Sequence, residues 1–493
     1  MSAANRSREP LFEVELALPL EGSRDLYDQL KAAIADGRLA AGAQLPPTRR
    51  AADVFGVSRN TLAAVYEQLA NDGLVVTRRG SGAFVAERKA PPISTSGTTD
   101  FPLNPVWLRP DIVRGMGFWA EDESALAINP GLDFRPALVD SQLFPLEAFR
   151  RVSAKQLRRL EQRPATLKSP QGSQGNFRLR EAVARHIGVT RAVVCAPDNI
   201  LVTSGAQQAF DLLARVLVQS GETTVAIEDP GYPPMRAAFA AAGARLAPVR
   251  VDAEGLVVDE IPTDTRVICI CPSHQFPLGV TMSTDRRRAL VAFARRHGAV
   301  IVEDDYDGEF RFEGGAVEAL RTSNAADVVF YVGTFSKCML PSLRLGFLVA
   351  PAWAMPTLTS AKNCLDWHTA TPIQLSVAAF ISEGLLTKHI RKMREIYRRR
   401  REYLLSEIDE RLAEWLEPIP SFYGMHVAAV AKPGVDVEAA AGGLYKRHVK
   451  IHTLARYFAG APTCTGLIFG YGVASIGDIY DGVDGVRRAL ATG

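Results

Sequence analysis

The chain has 493 residues, 47% of them hydrophobic, and a formal net charge of +3. That length exceeds what one hydrophobic core usually serves, so two or three domains are expected. The near-neutral balance excludes a global pull toward nucleic acid or anionic membrane, so any nucleic-acid reading must rest on local placement. The six cysteines, at 195, 269, 271, 338, 364 and 464, form no paired CxxC set. They read as free thiols of a reducing, cytoplasmic setting, with no metal site expected. The N-terminal residues MSAANRSREP lack an apolar run, so no signal peptide is expected. No uninterrupted apolar stretch of roughly 18 residues occurs, so no membrane span is expected either.

Residues 20–88 form the first predicted unit. Leu26, Leu30, Ile34 and Leu39 mark a first helix ended by Gly37. Leu45-Pro46-Pro47-Thr48 turns into a second helix, Arg49 to Phe55. Gly56-Val57-Ser58 is a tight turn whose serine is placed to cap a third helix running to Asn71-Asp72-Gly73. Short strands follow at 74–76 and 83–85, around Arg78-Arg79-Gly80. The order is helix, helix-turn-helix, then a two-stranded wing. Residues 89–130 read as a linker, rich in Pro, Ser, Thr and Gly from Ala90 to Asp100. Trp107 and the apolar residues from Ile112 to Trp119 predict that part of it docks on a surface.

From residue 131 to 355 apolar strand-like runs recur at 200–203, 224–227, 267–271, 299–302, 328–332 and 347–349, with helical stretches between most of them. This alternation predicts a mostly parallel sheet covered by helices on both faces. Residues 356–493 are helix-rich with strands at 424–431 and 467–471, and read as a smaller α+β subdomain. Lys388 to Arg401 holds eight Lys or Arg and one Glu above the apolar stripe Ile390, Met393, Tyr397, Leu404. A solvated helix face is the expected meaning; a second DNA contact is the alternative.

The third helix opens Ser58-Arg59-Asn60-Thr61, the first turn of a recognition helix. Arg59 and Asn60 suit base edges, while Ser58 and Thr61 suit phosphate. Arg49 and Arg50 would clamp the backbone, and Arg78, Arg79 and Gly80 sit at the wing tip. Residues 1–89 carry 12 Lys/Arg against 11 Asp/Glu, so placement and not count carries the DNA reading. Leu26-Tyr27-x-Gln29, Gly37-x-Leu39-x-x-Gly42-x-x-Leu45-Pro46, Gly56 to Thr61 and Gly80-Ser81-Gly82 closely resemble the winged helix of GntR-type regulators. The resemblance maps that family's contacts onto Arg49, Ser58, Arg59, Asn60 and Gly80.

A second constellation centres on Gly333-Thr334-Phe335-Ser336-Lys337 with Arg344. A lysine near positive charge, partly desolvated, becomes a nucleophilic amine. Thr334 and Arg344 are placed to hold a phosphate. Ser204-Gly205-Ala206 ends a strand and opens a helix, offering a phosphate a positive helix terminus. Tyr232 is placed to stack on a flat heteroaromatic ring. Asp304 would keep a pyridine nitrogen protonated, and Tyr306 would face a ring oxygen. The polar side chains of Ser273-His274-Gln275 are expected near the same oxygen, although a lone histidine is more often structural. Ser204, Tyr232, Asp304, Tyr306, Thr334, Lys337 and Arg344 occur in the order and strand-end positions of fold type I pyridoxal-phosphate enzymes, and strand ends are where ligands bind in open α/β sheets.

With Asp133-Phe134-Arg135-Pro136, Ser273-His274-Gln275-Phe276-Pro277 and Glu303-Asp304-Asp305-Tyr306-Asp307 added, residues from about 24 to the C-terminus resemble the MocR subfamily of GntR-type regulators. The resemblance implies an α/β fold type I aminotransferase-like domain carrying pyridoxal 5'-phosphate on Lys337, and a homodimer, head-to-tail. It implies partners in double-stranded operator DNA and a small amine or B6 effector. Two departures weaken ordinary transaminase turnover. Ile468 stands where aminotransferases carry a carboxylate-gripping arginine, and the segment Ser169 to Gly175 lacks a tyrosine that many relatives have. Arg135 and Arg236 remain as candidates for an acidic group. Three functions are therefore expected in this order: a regulator that forms an aldimine with an amino compound at Lys337 and couples it to operator binding; a sensor of pyridoxal phosphate occupancy; and an active aminotransferase carrying a DNA-binding module. The sequence leaves open whether any transaminase activity survives.

Overall fold

The computed structural model describes residues 22–78, 80–86, 103–119, 131–162, 172–312 and 318–492. Arg79, most of the expected linker and residues 163–171 lie outside the described residues. The chain divides into two compact units, residues 1–102 and 103–493.

In the first unit α1 (Ser23–Ala35), α2 (Thr48–Phe55) and α3 (Arg59–Asn71) precede an antiparallel hairpin of β1 (Val75–Arg78) and β2 (Gly82–Val85). Apolar residues three and four apart put one face of each helix inward. Leu26 and Leu30 of α1, Ala51 and Phe55 of α2, and Leu62, Val65 and Leu69 of α3 meet there, closed by Val75 and Val85. The first helix stops at Ala35; Leu39, expected on it, reaches the same core from the following turn.

The second unit begins with α4 (Pro110–Met116), which buries Ile112 and seats Gly115 against Ala237. Then come β3 (Leu132–Asp133), α5 (Leu146–Glu161), α6 (Phe177–Arg191), β4 (Ile200–Thr203), α7 (Ala206–Leu217), β5 (Thr224–Asp229) and α8 (Pro233–Ala241). The chain continues through β6 (Arg245–Asp252), β7 (Gly255–Leu256), β8 (Thr265–Ile270), α9 (Thr284–His297), β9 (Val300–Asp305), β10 (Val329–Thr334) and β11 (Gly346–Val349). The last stretch holds α10 (Met355–Asp366), α11 (Thr371–Ser382), α12 (Leu385–Leu412), β12 (Leu416–Pro418), β13 (His426–Ala431), α13 (Val437–Tyr445), β14 (Val449–Lys450), β15 (His452–Thr453), β16 (Gly466–Gly470) and α14 (Ile476–Leu490).

Among the described residues, eight strands form the large sheet in the order β4-β11-β10-β9-β8-β5-β6-β7. The five strands β10, β9, β8, β5 and β6 run parallel, and β11 runs antiparallel to both its neighbours. Both faces are buried, which is why these strands read as continuous apolar runs and not as alternation. Phe210 and Leu213 of α7, Phe239 of α8 and Leu358 of α10 cover one face. Leu290 and Ala294 of α9 cover part of the other, and α6 and α11 extend that layer into the core shared with the small subdomain. That subdomain has the sheet β12-β13-β16-β15, with β14 paired in parallel to β3.

In α12 the basic run is largely tied down. Arg398 and Arg399 pair with Glu395, Arg400 with Asp140, and Arg394 and Arg401 donate to the carbonyls of Glu309 and Ser421. This supports a solvated, internally paired helix over a DNA contact. Among the described residues no helix is long and apolar enough to cross a membrane.

Candidate functional site

The carboxyl ends of β4, β5, β8, β9 and β10 lie along one edge of the large sheet, where the candidate site is. Lys337 lies in the turn after β10 and donates its Nζ to the carbonyl of Ala137 at 2.6 Å. Burial lowers the ammonium pKa to about 8, and Arg344 adds to this, while Asp307 and Asp304 oppose it. A lysine so placed supplies neutral amine near physiological pH. Ala137 holds a left-handed φ of 62°, uncommon for a residue with a side chain.

Asp304 lies 5% exposed at the end of β9. Its Oδ2 is 3.9 Å from the thiol of Cys271, and its Oδ1 has no hydrogen-bond partner. Burial, then the charges of Asp305 and Asp307, push its pKa up to about 8. A buried carboxyl oxygen without a partner is costly. A pyridine nitrogen bearing a proton would satisfy it and restore the ionised form. This orphaned oxygen is the strongest sign that the site fits a pyridine ring.

Tyr232 takes a hydrogen bond from the indole of Trp119 at 3.1 Å, and its ring lies 5.6 Å from Phe276. Burial raises its phenol to about 12, so it stays neutral. At the other end of the site, Gly205 precedes α7 as its N-cap, with φ of 84° and no side-chain cap. A Cβ there would stand 3.0 Å from Nη2 of Arg344, so the glycine lets the guanidinium cross the helix mouth. Arg344 donates to the Ser204 carbonyl at 3.3 Å. The first N–H groups of α7, from Ala206 onward, have no partners within the helix and suit an anion.

Internal hydrogen bonds bear on three of the expectations here. The N–H of Ser204 is bonded by the side chain of Gln208 at 2.8 Å and is not offered to a phosphate. The hydroxyl of Thr334 accepts from the N–H of Ser336 and donates to its Oγ, so it shapes the lysine turn; the Ser336 hydroxyl proton remains for a ligand. Ser273 and Gln275 have internal partners. Ser273 accepts from Arg191 at 2.7 Å, and Gln275 donates to the carbonyl of Phe276 beside it and to that of Pro230 after β5. Tyr306 is in the site, and its hydroxyl meets Nδ1 of His274.

The remaining candidates for an acidic group are engaged. Arg135 is forked onto Asp133, at 2.6 Å for the shorter contact. Arg236 lies against the carbonyls of Tyr457 and Phe458 at 3.3 and 3.5 Å. Ile468 is fully buried in β16, in an apolar cluster with Phe276, Tyr306, Leu454 and Tyr457. Sequence reasoning missed a buried network that fixes the end of β9. Arg191 is forked onto Asp305 at 2.6 and 3.1 Å, and Tyr331 donates to the same carboxylate at 2.6 Å.

On the first unit, Arg59 and Asn60 are exposed at the first turn of α3, and Arg49 and Arg50 are exposed on α2. Ser58 caps the helix by accepting from the N–H of Thr61 at 3.0 Å, and the two hydroxyls bond each other at 2.7 Å. Their expected phosphate contacts therefore compete with the cap. Arg78 lies over the ring of Phe84, and Gly80 turns the wing with φ of 82°.

Residues 23–85 match the family of bacterial regulatory proteins of the gntR type, and residues 139–464 match aminotransferase class I and II. The chain is 32% identical to the probable rhizopine catabolism regulatory protein MocR of Rhizobium meliloti, over 95% of this chain and 93% of that one. It is 29% identical to the pyridoxine biosynthesis transcriptional regulator PdxR of Corynebacterium glutamicum, over 91% of each chain. The structure of α-aminoadipate aminotransferase LysN from Thermus thermophilus, complexed with N-(5'-phosphopyridoxyl)-L-leucine, superposes with a TM-score of 0.69 at 27% identity, covering 79% of this chain and 99% of that one. The two matched regions and a relative aligned over nearly the whole chain agree in both halves: the chain belongs to the MocR-type transcriptional regulators of the GntR family, with a fold type I aminotransferase domain for pyridoxal phosphate.

Proposed function

We propose that this regulator senses a primary amine at Lys337 and converts that event into a change in operator affinity. When bound, pyridoxal phosphate supplies a carbonyl carbon that condenses reversibly with amines. Asp304 would hold the ring nitrogen, Tyr306 the ring oxygen, and Tyr232 would lie against the ring. Arg344, Ser336 and the N-terminus of α7 would hold the phosphate. An effector amine would take the place of the Lys337 amine, which is then free to move. Regulation follows only if the effector binds two arrangements of the protein with different affinity. The observation that carries this reading is the depressed Lys337 beside the orphaned Asp304 oxygen, in a chain that also bears the exposed Arg59 and Asn60. The apolar burial of Ile468 favours sensing over transaminase turnover of α-amino acids. The regulator would act in the cytoplasm as a homodimer, two copies of α3 reading two half-sites.

A second reading is that occupancy by pyridoxal phosphate is itself the signal, supported by the likeness to a regulator named for pyridoxine biosynthesis. Operator binding of the cofactor-free and cofactor-loaded chain, with no amine added, separates the two. Equal affinity supports amine sensing; a large difference that amines do not alter supports the occupancy signal.

Two further outcomes are expected. Arg59→Ala should weaken operator binding by about 1–3 kcal/mol and relax preference at one base position, as seen in a mobility-shift series on substituted sites. Loading should follow the neutral fraction of Lys337, whose pKa is lowered to about 8. The rate of cofactor uptake, followed by absorbance, should rise roughly tenfold from pH 6 to 7 and flatten above pH 8.

A further inference from the structure

His274 is 2% exposed, with its ring 5.8 Å from that of Tyr306 and 4.9 Å from that of His426. Gly424, at φ 85°, comes so close that a Cβ there would overlap the imidazole, so the backbone is shaped to this ring. A single nitrogen makes its bonds. Nδ1 lies 2.8 Å from Oδ2 of Asp307 and 2.8 Å from the hydroxyl of Tyr306, while Nε2 has no partner.

One nitrogen carries either a proton or a lone pair, and this settles where the phenol proton goes. If Asp307 is ionised it can only accept, so Nδ1 carries a proton, shared with Asp307 and the phenol oxygen. If Asp307 is protonated, its proton fills the Nδ1 lone pair. In neither case can Nδ1 accept the O–H of Tyr306, which must point away from His274. His426 adds no charge nearby: its Nε2 donates to the Pro277 carbonyl at 2.9 Å, and burial lowers its pKa to about 3.

We infer that His274, held by Asp307, is a positioning residue that makes Tyr306 a hydrogen-bond donor toward the ring oxygen of pyridoxal phosphate. The inference rests on the assignment of Tyr306 to that oxygen. A buried phenol facing a lone-pair nitrogen would instead spend its proton on the histidine and meet the ligand oxygen as an acceptor.

The test compares two ligands on the full chain freed of cofactor, by equilibrium dialysis: pyridoxal phosphate, and 3-deoxypyridoxal phosphate, which lacks the ring oxygen. The wild-type chain should prefer the first. His274→Phe, which keeps a ring in the same space, should reduce that preference about tenfold, as should Tyr306→Phe, and the double variant should lose no more than either. A variant that merely loosens the site weakens both ligands alike, and that result overturns the inference. If Tyr306→Phe alters the preference and His274→Phe does not, His274 has no such role. If Tyr306→Phe leaves the preference intact, the underlying assignment fails as well. Should the phenylalanine disturb folding, Asp307→Leu keeps similar bulk and leaves Nδ1 free to accept the Tyr306 proton, and the same loss of preference is expected.

Discussion

Lys337→Ala is expected to abolish the response of operator binding to any amine. In the wild-type chain the coupling should amount to about 1–3 kcal/mol, roughly 5- to 150-fold in operator affinity. In the variant it should fall to nothing, because the effector no longer exchanges with a side chain. Lys337→Arg should fail in the same way, since it keeps the charge beside Asp304 and Asp307 but supplies no nucleophilic amine. The two variants separate loss of chemistry from loss of charge. Operator binding itself should survive, because Arg59 and Asn60 belong to a unit with its own core around Leu62, Val65 and Leu69. Fluorescence anisotropy on labelled operator, with and without amine, measures both quantities.

Arg191→Leu is expected to be the most destabilising single change in the second unit. Its guanidinium is 5% exposed and donates to Asp305 and Ser273, while Tyr331 donates to the same carboxylate. Burial alone would push Arg191 toward its neutral form, but Asp305 and Tyr331 outweigh it and hold the cation protonated. Removing the cation leaves a buried carboxylate with only the phenol to satisfy it, at a cost of about 3–5 kcal/mol. Asp305 adjoins Asp304 and Tyr306 on the chain, so cofactor affinity should fall with stability. Denaturant unfolding followed by tryptophan fluorescence checks the first effect and dialysis of the cofactor the second. Arg191→Lys should recover part of the loss, since it keeps the charge but not the fork.

The strands of the large sheet were legible because burial on both faces leaves long apolar runs, and the chemical residues stand directly after them. Asp304, Tyr306 and Lys337 follow β9 and β10 at offsets that local sequence displays. What sequence could not display were pairings made by topology. The carbonyl of Ala137 reaches a lysine 200 positions later, Trp119 bonds Tyr232 across 113, and Arg191 meets Asp305 across 114. A carbonyl leaves no mark in the choice of side chain, and an arginine in a helix of mixed polarity does not announce a buried partner. Hydroxyls carry a second role that sequence shows only in part. Ser58, Thr61 and Thr334 suit phosphate, yet each also has a backbone or hydroxyl partner within three residues, with which a ligand would compete. Ser273 and Gln275 read as ligand contacts because a polar string follows a strand, whereas here they bond Arg191 and the Pro230 carbonyl, 82 and 45 positions away.

The most direct test of amine sensing through Lys337 is one titration with two readouts. Amines are screened for a change in the visible absorbance of the cofactor-loaded chain, and an active one is then titrated while cofactor absorbance and operator affinity are recorded together. Linkage requires the two signals to move over the same concentration range, with operator DNA shifting the amine midpoint by the factor that the amine shifts operator affinity. Coincident midpoints and matching shifts are the predicted result. An absorbance change that runs to completion while operator affinity stays constant would contradict the claim that Lys337 is the sensing element of this regulator.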